Sequence, residues 1–220
     1  MAERGDNPAP AGTHGYEGYA DWKGWKGEFA TSDKVVRYFT AEFEGLPLAG
    51  RDVLEIGFGN GGFLAWARGQ GAEVTGLEIN PDMLAAAARV GYPARKAELS
   101  ALVAEGRHYD LIVAFDVLEH WSPEELIENF RAIAALLNPG AHFLARFPNG
   151  HSPFGRVYQY GDFTHRSVLS RYRIEYLVAT SGLEIVRIAD ACRLSSKPGP
   201  LRTLRHRWLA LQRRRIERRI

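Results

Sequence analysis

The stretch Asp52–Gly62, DVLEIGFGNGG, runs from a short apolar strand straight into a glycine-rich turn. Consecutive apolar residues bounded by glycine mark a strand buried on both faces. Outward from it, a helix is expected over Gly62–Gln70 and a second strand over Glu73–Ile79 (EVTGLEI). Asn80-Pro81 then opens a helix over Asp82–Val90, since proline suits the first helical turn. A weak third strand, Pro93–Ala97, and a strong fourth, Tyr109–Val117 (YDLIVAFDV), continue the alternation. Ser122-Pro-Glu-Glu125 has the form of a capping box for a helix reaching Leu137. Asn138-Pro-Gly140 turns the chain into a fifth strand, Ala141–Phe147; a helix near Leu169–Ser181 and a last strand, Leu183–Ala189, follow. Upstream, Ser32 or Asp33 caps a helix with Val35, Val36, Phe39 and Phe43 at helical spacing. Such alternation implies a parallel sheet covered on both sides, with ligands at the carboxyl ends of its strands.

The 220 residues are 45% hydrophobic and 25% charged, a globular composition with room for one domain. The single cysteine, Cys192, excludes a disulfide framework and a multi-cysteine zinc site. Residues 1–15 are rich in Gly, Pro and Ala and read as a disordered leader without the apolar run of a secretory signal. No stretch reaches the roughly 18 apolar residues that a bilayer span needs. A soluble, cytoplasmic protein is expected. The net charge of +2 hides an asymmetry: Arg193–Ile220 holds ten Lys or Arg against one acid, Glu217, so the body is acidic. In this tail, expected to be helical over 195–220, Leu201, Leu204, Trp208 and Leu211 recur at helical spacing among arginines. Basic amphipathic helices with tryptophan lie in the plane of anionic bilayers, so peripheral contact with the inner membrane surface through 201–220 is expected. RNA, an oligomer contact and a plain solvated face stay open beside it, although the acidic body opposes nucleic acid.

Glycines in the turn let a ligand approach the backbone. Gly57, Gly59 and Gly62 satisfy the dinucleotide pattern G-x-G-x-x-G, and Glu78 closes the next strand where a ribose-hydroxyl acceptor belongs. Charge separates the candidate ligands. Glu55 lies two residues before the first glycine, and Asp116 ends the fourth strand at the same edge. Two carboxylates there repel a pyrophosphate and attract a cationic nucleoside.

VLEIGFGNGGFL, VTGLEIN, YDLIVAFDVLEHW and LLNPGAHFLARFPN stand in this order across residues 52–149. Together they resemble the successive motifs of class I S-adenosylmethionine-dependent methyltransferases. The resemblance implies an α/β, Rossmann-like three-layer sandwich over 16–194, with a seven-stranded, mostly parallel sheet whose last strand is reversed. It implies S-adenosylmethionine as cofactor. Glu55, Gly57, Gly59 and Gly61 would surround its methionine moiety, with Asn60 in the same loop, and Glu78 would hold both ribose hydroxyls. Ile79, Ala97 and Glu98 would flank the adenine. Phe115 and Asp116 would line the methionine side, although Phe115 fits core packing equally well.

A hydroxyl acceptor must lie on the sulfonium–methyl axis and lose its proton, a task that suits histidine at neutral pH. His120 follows the fourth strand, and His165 lies in the long segment after the fifth, FPNGHSPFG through YGDFTH. That segment resembles methyltransferases of bacterial surface-polysaccharide synthesis, which implies His165 as base, oriented by Asp162, with Asn149 and Tyr160 on the substrate. The same residues also read as a helix cap with a solvated histidine. For His120 the resemblance implies a pocket-shaping role. Residues 16–45 form an aromatic flap and helix, in which Trp22 and Trp25 cover the site or pin the leader to the core. The expected reaction is O-methylation of a sugar hydroxyl on a polysaccharide or lipid-linked glycan. Alternatives are a quinone or small-phenol O-methyltransferase, an RNA methyltransferase or RNA-binding protein using the tail, and a nicotinamide enzyme. No metal is expected, because adjacent Glu119 and His120 would point to opposite sides of a strand; a quinone-type enzyme would be the exception.

Overall fold

In the central strands β-branched and other apolar side chains fill both faces between a few acids, as in Val53-Leu54 and Leu111–Ala114, so both faces of the sheet must be covered. The structure, a computed structural model, describes residues 18–191, and the expected leader (1–15) and basic helix (195–220) lie outside the described residues. Five parallel strands, β1 (Asp52–Ile56), β2 (Glu73–Leu77), β3 (Ala94–Arg95), β4 (Tyr109–Phe115) and β5 (Leu137–Arg146), form one sheet in the order β3-β2-β1-β4-β5. Val53 lies opposite Val74 and Leu111, and Ile56 opposite Leu77 and Ala114, so the three central strands end together.

Successive residues face opposite layers, as the pleat requires. Val53, Val74, Leu111 and Val113 pack with Phe39 and Phe43 around α2 (Asp33–Glu42), Phe63 and Trp66 of α3 (Gly62–Gly69), and Met83 and Ala86 of α4 (Pro81–Arg89). Leu54, Ile56, Ile112 and Ala114 pack with Leu102 of α5 (Leu99–Ala104), Phe130 and Ile133 of α6 (Pro123–Leu136) and Leu177 of α8 (Arg171–Ser181). Two short helices, α1 (Tyr19–Lys23) and α7 (Arg156–Tyr160), lie at the ligand edge. The caps follow the sequence: Ser32 accepts from Val35, and Asn80 accepts from Asp82 and Met83 with Pro81 in the first turn. Ser122 and Glu125 form a reciprocal capping box, with the Glu125 amide on Ser122 Oγ (3.2 Å) and the Ser122 amide on Glu125 Oε2 (2.8 Å).

The expectation of seven strands with the last reversed is corrected: among the described residues the sheet has five, all parallel. Leu183–Ala189 alternates like a strand but joins no ladder. Ile185, Val186 and Ile188 stand exposed, and Arg187 reaches Glu42 instead (3.9 Å). A strand is held by pairing and by one buried face, and this segment has neither.

Ser122→Ala removes the capping hydroxyl of α6 and is expected to cost about 1 kcal/mol. The loss should appear as a lower urea midpoint with unchanged slope.

Candidate active site

Because β1, β2 and β4 end in register, their following loops converge on one large cavity. At its first end the glycine turn is tied to β2, with the Gly57 and Phe58 amides donating to the Leu77 carbonyl (2.8 and 3.3 Å). Gly59 and Gly61 hold left-handed backbone (φ +49° and +74°). A Cβ on Gly61 would lie 2.3 Å from the Phe29 ring, and one on Gly59 3.0 Å from the Trp25 ring. The aromatic leader, rather than a ligand alone, therefore demands these glycines. Asn60 fastens it: its Oδ1 accepts the amides of Lys26 (3.0 Å), Gly27 (2.8 Å) and Glu28 (3.4 Å), and its carbonyl accepts from Phe29 (3.2 Å). The side chain expected to serve the cofactor is thus committed to the leader.

Glu78 directly follows β2, with both carboxylate oxygens facing amides: Gly59 on Oε2 (2.8 Å), and Ile79 (2.7 Å) and Asn80 (3.0 Å) on Oε1. Glu55 beside it is buried, lines the cavity, and leaves Oε2 without a hydrogen-bond partner. Burial pushes the Glu55 carboxyl well above the usual carboxylate range; the Glu78 charge adds to this and the Leu64 amide opposes it. An incoming cation would favour the ionised form of this carboxyl. Asp116 behaves otherwise. Arg146, its neighbour across the β4–β5 edge, grips both oxygens, with Nε on Oδ1 at 3.1 Å and Nη2 on Oδ2, and also donates to Tyr38 Oη (2.9 Å). Of the two carboxylates expected to attract a cationic ligand at this edge, Asp116 is thus paired with Arg146 and Glu55 is not. Sequence reading passed over Arg146, whose signal was its register opposite Phe115.

Ile79, Ala97, Glu98 and Phe115 all line the cavity. Phe115 also packs on Phe39 and Phe63, at 5.4 Å between ring centres in each case, so it serves core and site together.

The second end is built from the turn after β4 and the segment after β5. Leu118–His120 is a 3-10 turn, not a strand, so Glu119 and His120 do not diverge as expected. Donor atoms of Glu119, His120 and His165 all lie within 4.8 Å of one another. His165 Nδ1 faces the Gln159 carbonyl (3.1 Å), an acceptor only, so Nδ1 carries the proton and Nε2 the lone pair. That Nε2 lies 3.8 Å from Asp162 Oδ2 and 3.9 Å from Glu119 Oε1. Thr164 Oγ1 donates to Asp162 (2.5 Å), which makes His120 Nδ1 the donor to Thr164 Oγ1 (2.9 Å) and Thr164 O (3.2 Å). Burial, then the nearby His165, lowers the His120 pKa.

Burial opposes ionisation of Asp162, but hydrogen bonds from the Thr164 hydroxyl and amide and from Tyr19, with His165 nearby, hold it at about 2. Glu119 is buried with Oε2 unpartnered. Burial pushes it up to about 8, Asp116 adding and Arg146 and Lys23 opposing.

Helix α1 closes over this end, with Tyr19 Oη donating to Asp162 Oδ2 (3.0 Å) and Lys23 Nζ 3.5 Å from the same oxygen. Trp22 and Trp25 line the cavity, as does Asn149, whose Oδ1 accepts the His151 amide (3.0 Å). Tyr160 stands exposed on α7 and does not line the cavity; Tyr19 and Tyr158 do.

The family described as "Methyltransferase domain" matches residues 29–188, and the chain belongs to it. Over 103 residues it is 37% identical to a ubiquinone biosynthesis O-methyltransferase of Nitrosospira multiformis, covering 42% of this chain and 41% of that protein. The protein of the same name from Methylobacterium sp. strain 4-46 is 34% identical over 105 residues, covering 45% and 41%. The chain thus aligns with less than half the length of these relatives. A SAM-dependent methyltransferase from Archaeoglobus fulgidus superposes with a TM-score of 0.62 at 20% identity, covering 83% of this chain and 88% of that one. The fold is the Rossmann-like α/β fold of that SAM-dependent methyltransferase, and by family the chain is a methyltransferase-domain protein.

A raised folded-state pKa on Glu55 stabilises the fold at acid pH, and that contribution is lost as pH rises through the raised value. Glu55→Gln cannot ionise. It should melt like the wild type at about pH 5 and higher than the wild type at about pH 8, measured by thermal scans without ligand.

Proposed function

We propose that this chain transfers a methyl group from S-adenosylmethionine to the hydroxyl of a phenol or quinol. When bound, S-adenosylmethionine supplies an electrophilic methyl on a sulfonium. The residues of the first end fit it: Glu55, a buried acid with an unpartnered oxygen, suits the cationic amino-acid portion, and Glu78, which accepts three amides, has a lone pair left on Oε2 for a ribose hydroxyl. The observation that carries the proposal is the juxtaposition, in one cavity, of this acid pair with His165, whose lone-pair nitrogen faces Asp162 and Glu119.

His165 Nε2 takes the acceptor proton, and the Asp162 carboxylate stabilises the imidazolium that results. The Gln159 carbonyl fixes the ring's tautomer. His120, kept neutral by burial, shapes the wall beside it. Tyr19, Trp22 and Trp25 cover the site and restrict water. The relatives' names support a phenolic acceptor over a sugar. A glycan hydroxyl is the second reading, supported by the amide, hydroxyl and aromatic side chains of Asn149, Ser152 and Tyr158 on the wall.

The 4.8 Å convergence of Glu119, His120 and His165 gives the triad a second possible role, since two histidines and a carboxylate suit a divalent cation that would polarise the acceptor oxygen. Turnover unaffected by chelator assigns the triad to proton transfer; loss restored by Mg²⁺ or Zn²⁺ assigns it to a metal.

The test is methyl transfer from labelled S-adenosylmethionine to a catechol-type phenol and to sugar acceptors in parallel, with label on the phenol expected. His165→Ala should lower turnover about 10²–10⁴-fold, the usual reach of a general base, while cofactor binding survives. Glu78→Ala should weaken cofactor binding at least about tenfold by calorimetry, the equivalent of one lost charge-assisted hydrogen bond. Unchanged affinity would remove the ribose assignment.

A further inference from the structure

Several large side chains both line the cavity and stand out of the protein: Trp22 (62% exposed), Val157 (77%), Tyr158 (71%) and Phe163, which is wholly exposed. A residue that borders a cavity and is bared to solvent sits at its mouth. Phe154 does the same less fully, and Tyr160 extends the group along α7. These residues come from α1 and from the segment after β5, which Tyr19, Lys23 and Asp162 bring together. The mouth therefore carries an apolar and aromatic rim, while Glu98, Glu125 and Glu128 also border the cavity, Glu125 paired with Arg166.

Large apolar side chains exposed at the opening of a site mark an interaction surface. Its composition selects the partner. Tyrosine and tryptophan present an apolar ring and a polar tip, the pairing that suits the headgroup level of a bilayer, and phenylalanine and valine suit the layer beneath. Cations are interleaved: Lys23 Nζ lies 4.6 Å over the Trp22 ring, and Lys26 and Arg156 are exposed beside the rim residues. The described chain stops at Ala191, itself on the cavity wall, and the sequence joined to it there holds ten Lys or Arg against one acid over Arg193–Ile220. The largest positive charge of the chain is thus tethered to the wall of this cavity, a match for anionic headgroups.

We propose that the aromatic rim is a bilayer-docking surface, seated on anionic lipid so that an apolar acceptor passes from the membrane into the cavity. The acceptor part rests on the phenol reading above; the docking does not.

The full chain is sedimented with vesicles of phosphatidylcholine alone and of an equal mixture with phosphatidylglycerol, beside the double variant Val157→Ser/Phe163→Ser. Both positions are exposed, so the variant should keep the wild-type melting temperature and S-adenosylmethionine affinity. The wild type should bind the anionic vesicles and the variant at least about tenfold more weakly, the effect of withdrawing two apolar side chains from lipid. Wild type that does not bind overturns the proposal, as does a variant that binds equally. So does a wild type that is dimeric without lipid and becomes monomeric through the same two substitutions, because the rim is then a protein contact. Failure of the wild type to bind S-adenosylmethionine would instead sink the enzymatic reading and leave the docking result standing.

Discussion

One carboxylate holds the acceptor end of the molecule together. Asp162 accepts from the Thr164 hydroxyl and amide on one oxygen and from Tyr19 on the other, with Lys23 and His165 close by. The contacts arrive from two parts of the structure: Tyr19 and Lys23 from the covering helix, and Thr164 and His165 from the segment after the last strand. Anchored this way it stays ionised far below neutral pH, which keeps a fixed negative charge beside His165. Glu119, only 3.9 Å from the same ring, has Oε2 unpartnered and is driven toward the neutral acid by burial, which its own backbone amide opposes only in part. Two similar groups around one imidazole therefore differ because one is held by several donors and the other is buried with an oxygen unmatched.

The opposite end is organised by the same contrast. Glu78 is supplied with three amides, while Glu55 is buried beside it with an oxygen unmatched. Desolvating a carboxyl without a partner costs stability, and natural folds keep such a group where a ligand completes it. Arg146 removes Asp116 from this account, so the field at the sheet edge is set by the two glutamates rather than by all three acids.

Much of the architecture was legible because it rests on local rules. The apolar runs of β1 and β4, the Asn80-Pro81 cap and the Ser122–Glu125 box each follow from short-range chemistry, and the structure places them there. What depended on distant partners was not legible. The alternation of Leu183–Ala189 reads as a strand, but only a neighbour could make it one. Asn60 sits in a ligand loop by sequence, yet its amide acceptor is saturated by residues more than thirty positions earlier. The pairing of Glu119 with His165 required a 3-10 turn that no periodicity announces. Tyr160 illustrates the limit from the other side: right segment, wrong face.

The way the leader is seated has a consequence for how the chain is assembled. Tyr19 meets Asp162 across 143 positions, and the residues after it fasten to Asn60 and lie against Ala86, where Gly27 leaves room only for a hydrogen. During synthesis this segment emerges before its seat, which consists of groups made later, Asp162 among them. The cover over the cavity can therefore be seated only after residues as far along the chain as Asp162 have been made.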